Sequence, residues 1–478
     1  MRKRFEPQIS LGAEPIAEVK IYTKSRDEFP PLLVALQEIF KNKELNEQIF
    51  NILEERITKG KKETGRPGMD LWHILVLSIV RLSQNTNYDK LLNLANNHKE
   101  LRKIMGVYSF VDDKMFELQT VKDNISLVTD DDLYRINAVI ALWGLSLFNK
   151  KKDQEQILKT DSYVLETNVH FPTDYNLLWD SARKCLDIIC KLLKKNKIEL
   201  SGWRKMESWR KSMKNLSRQM GQVSKEGGKN KINKRQFIAN QYINKAQILY
   251  DKVVFSIQQI SNTTNNTKYI EQLEYYAKML NVHKDLIYRR IIKEETIPAG
   301  DKIHSIFLEF TEWINKGKLH PNVELGKKIL ITTNQNHLIL DYQIMDNQSD
   351  SQAIIPLYKR IKASILGVIK SWSFDKGFTN AKAKKELESD RINVIIPKKG
   401  KKNKSEQAIE NSKEFKGLRN KHSAIESNIN QLEHNGLDRC PDKSRNAFNR
   451  YVGLGVLSYN LHRIGKKLLE NRRLVQAA

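Results

Sequence analysis

The run Leu158-Lys159-Thr160-Asp161-Ser162-Tyr163-Val164, continuing through Leu165 to Val169, alternates like a strand in a neighbourhood that otherwise reads as helix. Its β-branched and aromatic residues suit a half-buried pleated surface. Upstream, apolar residues recur at steps of three and four over Pro31–Ile57, Met69–Leu82, Asp89–His98, Lys99–Met105 and Asp130–Phe148, which predicts helices. Residues 1–30, with Pro7, Pro15 and Pro30, read as an extended arm, and Thr58–Gly68 as a breaker rich in Gly and Lys. Downstream, Asn176 to about Glu295 is helical again. Short strand or helix–strand candidates follow at Lys327–Thr333, His337–Met345, Ile365–Phe374 and Ile392–Pro397, then helices at Leu418–Leu432 and Phe448–Leu469. A strand separated from its partners by over a hundred helical residues implies an insertion inside an α/β domain. The expected fold class is therefore mixed α and α/β: an all-α N-terminal domain, then an α/β domain interrupted by a helical insertion.

Charge narrows the partner. The 478 residues hold 82 Lys and Arg against 56 Asp and Glu, a net +26. A chain this basic attracts polyanions, of which nucleic acid is the commonest. The excess is concentrated: Lys191–Asn240 carries 15 Lys and Arg against 3 Glu, a net +12. Within it Trp203, Met206, Trp209, Met213, Leu216 and Met220 form one helical stripe, with Arg204, Lys205, Arg210, Lys211, Lys214 and Arg218 around it. Two readings stay open: a stripe packed on a core with a solvated basic face, or a basic face that meets DNA phosphates. The short helices between Asn87 and Met105 leave a similar choice, a DNA-reading unit with Lys90, Lys99, Arg102 and Lys103 on phosphates, or a dimerisation unit. No run of about 18 apolar residues predicts a membrane span, and the basic N-terminus lacks the apolar stretch of a secretory signal. Three cysteines, Cys185, Cys190 and Cys440, indicate a reducing compartment without a disulfide framework, so a cytoplasmic location is expected.

Several familiar chemistries are excluded. There is no HExxH and no CxxC pair. Cys185 and Cys190 belong to an apolar helix and read as core, and His434 with Cys440 flanks a turn. Gly227-Gly228-Lys229 lacks the first glycine, the following Ser or Thr and the preceding strand of a phosphate loop. What remains is carboxylates: Asp161 in the isolated strand, Asp375 at the close of another just before Gly377, and Glu426 on a helix. Phosphodiester cleavage needs the attacking oxygen activated and the leaving oxygen neutralised. Two hard cations about 3.5–4 Å apart do both, and they want oxygen ligands.

The blocks around these residues carry a resemblance. Thr160-Asp161-Ser162 with Val164 to Asp174, Asp375-Lys376-Gly377-Phe378, and Arg419 to Ile429 followed by Glu433 to Cys440 resemble the three catalytic blocks of bacterial insertion-sequence transposases of the DDE type. Gly65-Arg66-Pro67-Gly68-Met69 and its helix extend the likeness, which is closest to the ISNCY group. The resemblance implies an RNase H-like catalytic domain over 151–175 and 300–440, a basic helical insertion over 176–299, a helical DNA-binding or dimerisation domain over 1–150 and a C-terminal helical segment over 441–478. It implies Asp161, Asp375 and Glu426 as catalytic ligands of Mg²⁺ or Mn²⁺, two ions together. It also implies a homo-oligomer working on DNA at the nucleoid, with the element's ends and target DNA as partners. Many such transposases place a Tyr, an Arg and a Lys around the Glu where this chain has Arg419, His422 and Glu433. Lys376, Arg419, Lys421 and His422 are the candidates for phosphate contacts there. A catalytically silent DNA-binding descendant and an endonuclease without strand transfer are the alternatives.

Overall fold

The apolar periodicity of Pro31–Ile57 is broken in the middle. Helix α1 (Phe29–Lys41) opens with Pro30 and Pro31 in its first turn, where their missing N–H groups cost nothing. Asn42 then leaves the helical region, and its side chain accepts from the Leu45 amide at 3.1 Å to cap α2 (Lys43–Ile57). These are features of a computed structural model, which describes residues 2–5, 14–24, 26–60, 68–108, 114–148, 155–195, 199–228, 230–261, 267–315, 322–364 and 367–477. Pro7, Lys229 and Gly65–Pro67 of the motifs above lie outside those residues. The predicted arm is in part a strap: Gln37 Nε2 donates to the carbonyls of Ile16 and Val19, and Arg4 bridges Glu47 and Glu54.

The chain forms two compact units, Met1–Asn168 with Ile314–Ala478, and Val169–Trp313. The first holds α3 (Leu71–Ser83), α4 (Tyr88–Asn97), α5 (Lys99–Ile104), α6 (Leu118–Ile125) and α7 (Asp130–Phe148), followed by strand β1 (Gln156–Thr167). Helix α3 is buried almost all round, as its almost wholly apolar sequence requires. The second unit is built from α8 (Asp174–Lys195), α9 (Met206–Lys225), α10 (Lys231–Ser261) and α11 (Thr267–Ile287) around Leu186, Ile189, Met213, Met220, Tyr242 and Leu280. Strands β2 (Glu312–Asn315), β3 (Val323–Thr333) and β4 (Ile339–Ile344) come next, then α12 (Asp350–Ser364), β5 (Ile369–Phe374), α13 (Ala381–Ser389) and β6 (Asn393–Ile395). Helices α14 (Lys404–Asn411), α15 (Lys413–His422) and α16 (Ala424–Leu432), the short strand β7 (Arg439–Cys440) and α17 (Arg445–Ala477) close the chain. The expected single helix Leu418–Leu432 is two, broken at Ser423. Between α16 and β7, Gly436 takes φ +99°, and a Cβ there would stand 2.5 Å from Asn85 Oδ1.

The sheet is mixed, in the order β2-β3-β1-β5-β6, with β4 also on β3 and β7 also on β1. Strand β1 runs antiparallel to β3, which runs antiparallel to β4, and parallel to β5, which runs parallel to β6. Side chains alternate across a strand, so the two faces of β1 and β5 differ. One carries Leu158, Thr160, Trp372 and Phe374. The last two rings stack at 5.3 Å, and Trp372 Nε1 donates to Thr160 Oγ1 at 2.8 Å. The other carries Lys159, Asp161, Ser373 and Asp375. The long α17 packs along α1, α3 and α7. No helix among the described residues is long and apolar enough to cross a membrane.

Candidate active site

Register brings the two aspartates together. The parallel ladder pairs Lys159 with Ser373 and Thr160 with Phe374. One step further along the same direction are Asp161 on β1 and Asp375, the residue that follows β5. Asp375 leads into a single turn, Lys376–Phe378, closed by Phe378 N–H donating to the Asp375 carbonyl at 3.1 Å. Phe378 is buried against Phe374, which pins the turn while Asp375, Lys376 and Gly377 remain exposed.

Glu426 comes from the first turn of α16 and is exposed. The helix is held on the sheet by its neighbours Ile425 and Asn428, both buried. Asn428 Nδ2 donates to Thr333 Oγ1 at 3.3 Å, and Asn428 Oδ1 accepts from Tyr459 at 3.0 Å. Thr333 is the β3 partner of Lys159, so α16 covers the face that carries Asp161.

Asp161 is half-buried, and its Oδ1 accepts from the Ser162 N–H at 2.7 Å. Burial pushes its carboxyl up to about 7; the Ser162 N–H opposes this, while the negative charges of Asp375, Asp350 and Glu426 add to it. Asp375 and Glu426, both named from the sequence, thus act electrostatically on Asp161. Asp350, at the start of α12, is a fourth that the sequence reading missed. Its Oδ1 accepts from Ser162 Oγ at 2.9 Å, and it pairs with Lys328 at 3.1 Å. A Cβ on Gly377 would stand 3.2 Å from Asp350 Oδ2. Asp350 therefore touches the neighbourhoods of both aspartates.

The donors suit hard cations in kind: all are oxygens, and their mutual repulsion is relieved by added positive charge. In spacing they are looser, for among the described residues no three His, Cys, Asp or Glu stand close enough to hold a metal ion.

His422, the last residue of α15, faces the same strands. Its Nδ1 stands 3.0 Å from Ser373 Oγ, and its buried Nε2 has no partner. Burial lowers its pKa to about 4, with Asp375 opposing and Lys159 adding to the fall, so the ring is neutral. Lys159 is buried, and burial, then the charge of Lys421, lowers its pKa. Arg419 and Lys421 are exposed on α15. Lys421 lines a cleft of about 330 Å³ with Ile157, Lys370, Ser371 and Lys413.

The other basic candidates are placed within the second unit. Met213 and Met220 are fully buried and Trp203 nearly so, with its Nε1 donating to Ser256 Oγ at 2.8 Å. The Trp/Met stripe is thus core-facing. Arg204, Lys205, Lys211, Lys214 and Arg218 are exposed, whereas Arg210 is engaged by Asp187 at 2.6 Å. Near the N-terminus Arg102 is buried on the carbonyls of Ala95, Lys114 and Val107, and Lys103 pairs with Glu14. Those two serve packing; Lys90 and Lys99 remain exposed.

No curated protein and no solved structure matches the chain. Residues 277–461 match the family model described as Transposase DDE domain, a stretch that contains Asp375 and Glu426 and begins after Asp161, and the match supports reading this chain as a DDE-type transposase.

Proposed function

We propose that the protein is a DDE transposase of the ISNCY group, with an RNase H-like catalytic domain, that cleaves the ends of its insertion sequence and joins them to target DNA. The observation that carries the reading is the parallel register of β1 and β5. It pairs Thr160 with Phe374, each one residue before an aspartate, Asp161 and Asp375, that lie 214 positions apart in the chain. Glu426 is near enough to raise the Asp161 pKa. The strand order, three antiparallel strands continued by two parallel ones, supports the RNase H-like assignment.

Asp161, Asp375 and Glu426 would hold Mg²⁺ or Mn²⁺, which when bound supply activation of the attacking oxygen and neutralisation of the leaving one. The chain's own part is positioning. The Ser162 N–H fixes one oxygen of Asp161, while Asp350 holds the Ser162 hydroxyl and lies against Gly377 beside Asp375. The exposed lysines and arginines of the second unit and of α15 would bind the DNA backbone without reading sequence. The protein would work as a homo-oligomer on DNA at the nucleoid.

The test uses purified full-length protein, labelled duplexes carrying the element's ends, a target plasmid, and Mg²⁺ or chelator. The expected outcome is metal-dependent nicking at the ends and a joined product, both abolished in Asp161→Asn. Cleavage without joining would make the protein an endonuclease. Binding without cleavage would make it a silent descendant.

A further inference from the structure

Helix α10 carries two stripes. One, with Ala239, Tyr242, Ala246, Leu249, Val253 and Ile260, is buried in the core of the second unit. The other runs Phe237, Gln241, Asn244, Ile248, Asp251, Phe255 and Gln258, at steps of 4, 3, 4, 3, 4 and 3, and every one of these residues is exposed. That spacing holds one helix face in line, and it is the spacing by which two helices pair. Three members are large and apolar: Phe237 is 61% exposed, Ile248 53% and Phe255 52%. Exposed apolar residues scattered singly are ordinary, whereas a line of them marks an interaction surface.

The neighbours of this strip narrow its partner. Helix α10 packs between α9 and α11, each of which also packs on α8. The outward face of α9 is basic, with Lys211, Lys214, Arg218 and Lys225 exposed against Glu207. That of α11 is mixed, with Glu271, Glu274 and Asp285 against Lys268 and Lys278. Between them the α10 strip holds one charged residue, Asp251, whose Oδ1 accepts from Gln247 Nε2 at 2.8 Å. The lysines at its border are drawn aside: the Lys245 ammonium lies 4.0 Å from the centre of the Trp209 ring, and Lys252 donates to the Gly202 carbonyl at 2.7 Å. A strip without cations holds a polyanion poorly. It is also where two copies of a chain carrying +26 approach each other with least repulsion.

We propose that this strip is the contact surface for a second copy of the chain, with the two α10 helices antiparallel across a twofold axis. Such a contact uses the same strip twice. Antiparallel pairing about the midpoint of Phe237 and Phe255 sets Phe237 against the partner's Phe255, Ile248 against the partner's Asn244 and Asp251 against the partner's Gln241. No like charges meet, whereas a parallel pair would set Asp251 against its own copy. Reversing the helix direction keeps α9 beside the partner's α9, so two basic faces adjoin at the edge of the contact. One helix pair of this length lies at the low end of specific interfaces, so the association is weak, and salt strengthens it by screening those faces. The inference deepens the homo-oligomer proposed above by giving it a surface.

The test follows full-length protein without DNA by sedimentation velocity at micromolar concentrations across a salt series. The expected result is a monomer–dimer equilibrium that tightens as salt rises. Ile248→Ser with Phe255→Ser should weaken it by about tenfold or more, with an unchanged melting temperature because both positions are exposed. Phe237→Cys and Phe255→Cys proteins are then oxidised singly and as a mixture, against wild type with its own Cys185, Cys190 and Cys440. Only the mixture should gain a linked dimer, because like positions lie about 27 Å apart in an antiparallel pair, beyond disulfide reach. A monomer at every salt concentration overturns the contact. A dimer of undiminished strength in the serine variant places the contact elsewhere and overturns it too. Linkage within Phe237→Cys alone overturns the antiparallel register. A monomer whose DNA affinity falls in the serine variant makes the strip a stacking surface for bases, and that also overturns the self-contact. No arm uses cleavage, so failure of the transposase reading and failure of the contact are read separately.

Discussion

Strand β1 and helix α9 are both amphipathic and both charged, yet they place their charges oppositely. On α9 the apolar stripe of Met213 and Met220 goes inward and the basic residues stay in water. On β1 both faces are covered, and one of them carries Lys159, buried, and Asp161, half-buried. An exposed charge costs little and attracts any polyanion weakly. A covered charge is destabilising unless something completes it, so it is tied to one ligand at one position. The contrast predicts that changes on β1 and β5 alter chemistry or folding sharply, and changes on α9 alter affinity gradually.

The sharpest break should come from Asp375→Asn, which removes one charge from the carboxylate set. Cleavage of end DNA should fall by roughly 10³-fold, about 4 kcal/mol of barrier. Gel-shift affinity should stay within about threefold, because binding draws on distributed cations. A variant that folds but no longer binds would show that Asp375 belongs with the binding residues instead.

On the opposite face of the same strands, Trp372→Ala should cost about 3–5 kcal/mol of stability, measured by urea unfolding. Trp372 is fully buried and also gives up its bond to Thr160. A loss below about 1 kcal/mol would mean that the two faces do not differ as described.

For α9 the effect should be graded. Replacing Arg204, Lys205, Lys211 and Lys214 together with Gln should flatten the salt dependence of DNA binding by up to about 3–4 log units per log unit of salt. Arg210→Gln alone should leave the slope unchanged and cost at most about 1 kcal/mol, since Arg210 is engaged by Asp187. Equal slopes for wild type and the fourfold variant would assign this basic surface to solubility.

The smallest effect concerns Asp161 without metal. Its folded pKa is raised, so folding favours the protonated form. Its ionised form costs stability from the ordinary carboxylate range up to about pH 7, with the full cost present above that. Asp161→Asn should therefore melt higher in chelator at pH 8, by about 2–4 °C per kcal/mol relieved, and alike at pH 4. A lower melting temperature at pH 8 would remove the charge-repulsion account.

The sequence made some of this legible and concealed the rest for physical reasons. Asp375 was readable because it closes an apolar run before a polar turn, and Asp161 because it is an acid inside the isolated strand-like run. Asp350 was not, because an acid in the first turn of a helix is ordinary complementarity to the helix dipole. Its contact with Ser162 depends on where α12 docks. Lys159 lay in plain view two residues before Asp161. Only the pairing with β5, and the covering by α15 and α16, turn it from a strand lysine into a buried one. Arg102 misled in the opposite direction: on a short basic helix it resembled a phosphate contact, and it proved to satisfy three backbone carbonyls.

The place of β1 at the centre of the sheet also sets a problem of order. A chain leaving the ribosome presents β1 early, but β3 begins 156 residues after β1 ends, and β5 later still. At about 5–20 residues per second, β1 waits roughly 8–30 s for its first neighbour. Through that interval Leu158, Tyr163, Val164 and Leu165 lie along two open strand edges, the arrangement that recruits foreign strands. Helices α8–α11 are complete in sequence before β3 appears, and their contacts are largely local, so they fold during the wait. The protein therefore reaches its final topology by closing a sheet around a strand made long before. Slowing synthesis between residues 168 and 323 should lower its soluble yield more than slowing it anywhere after β5.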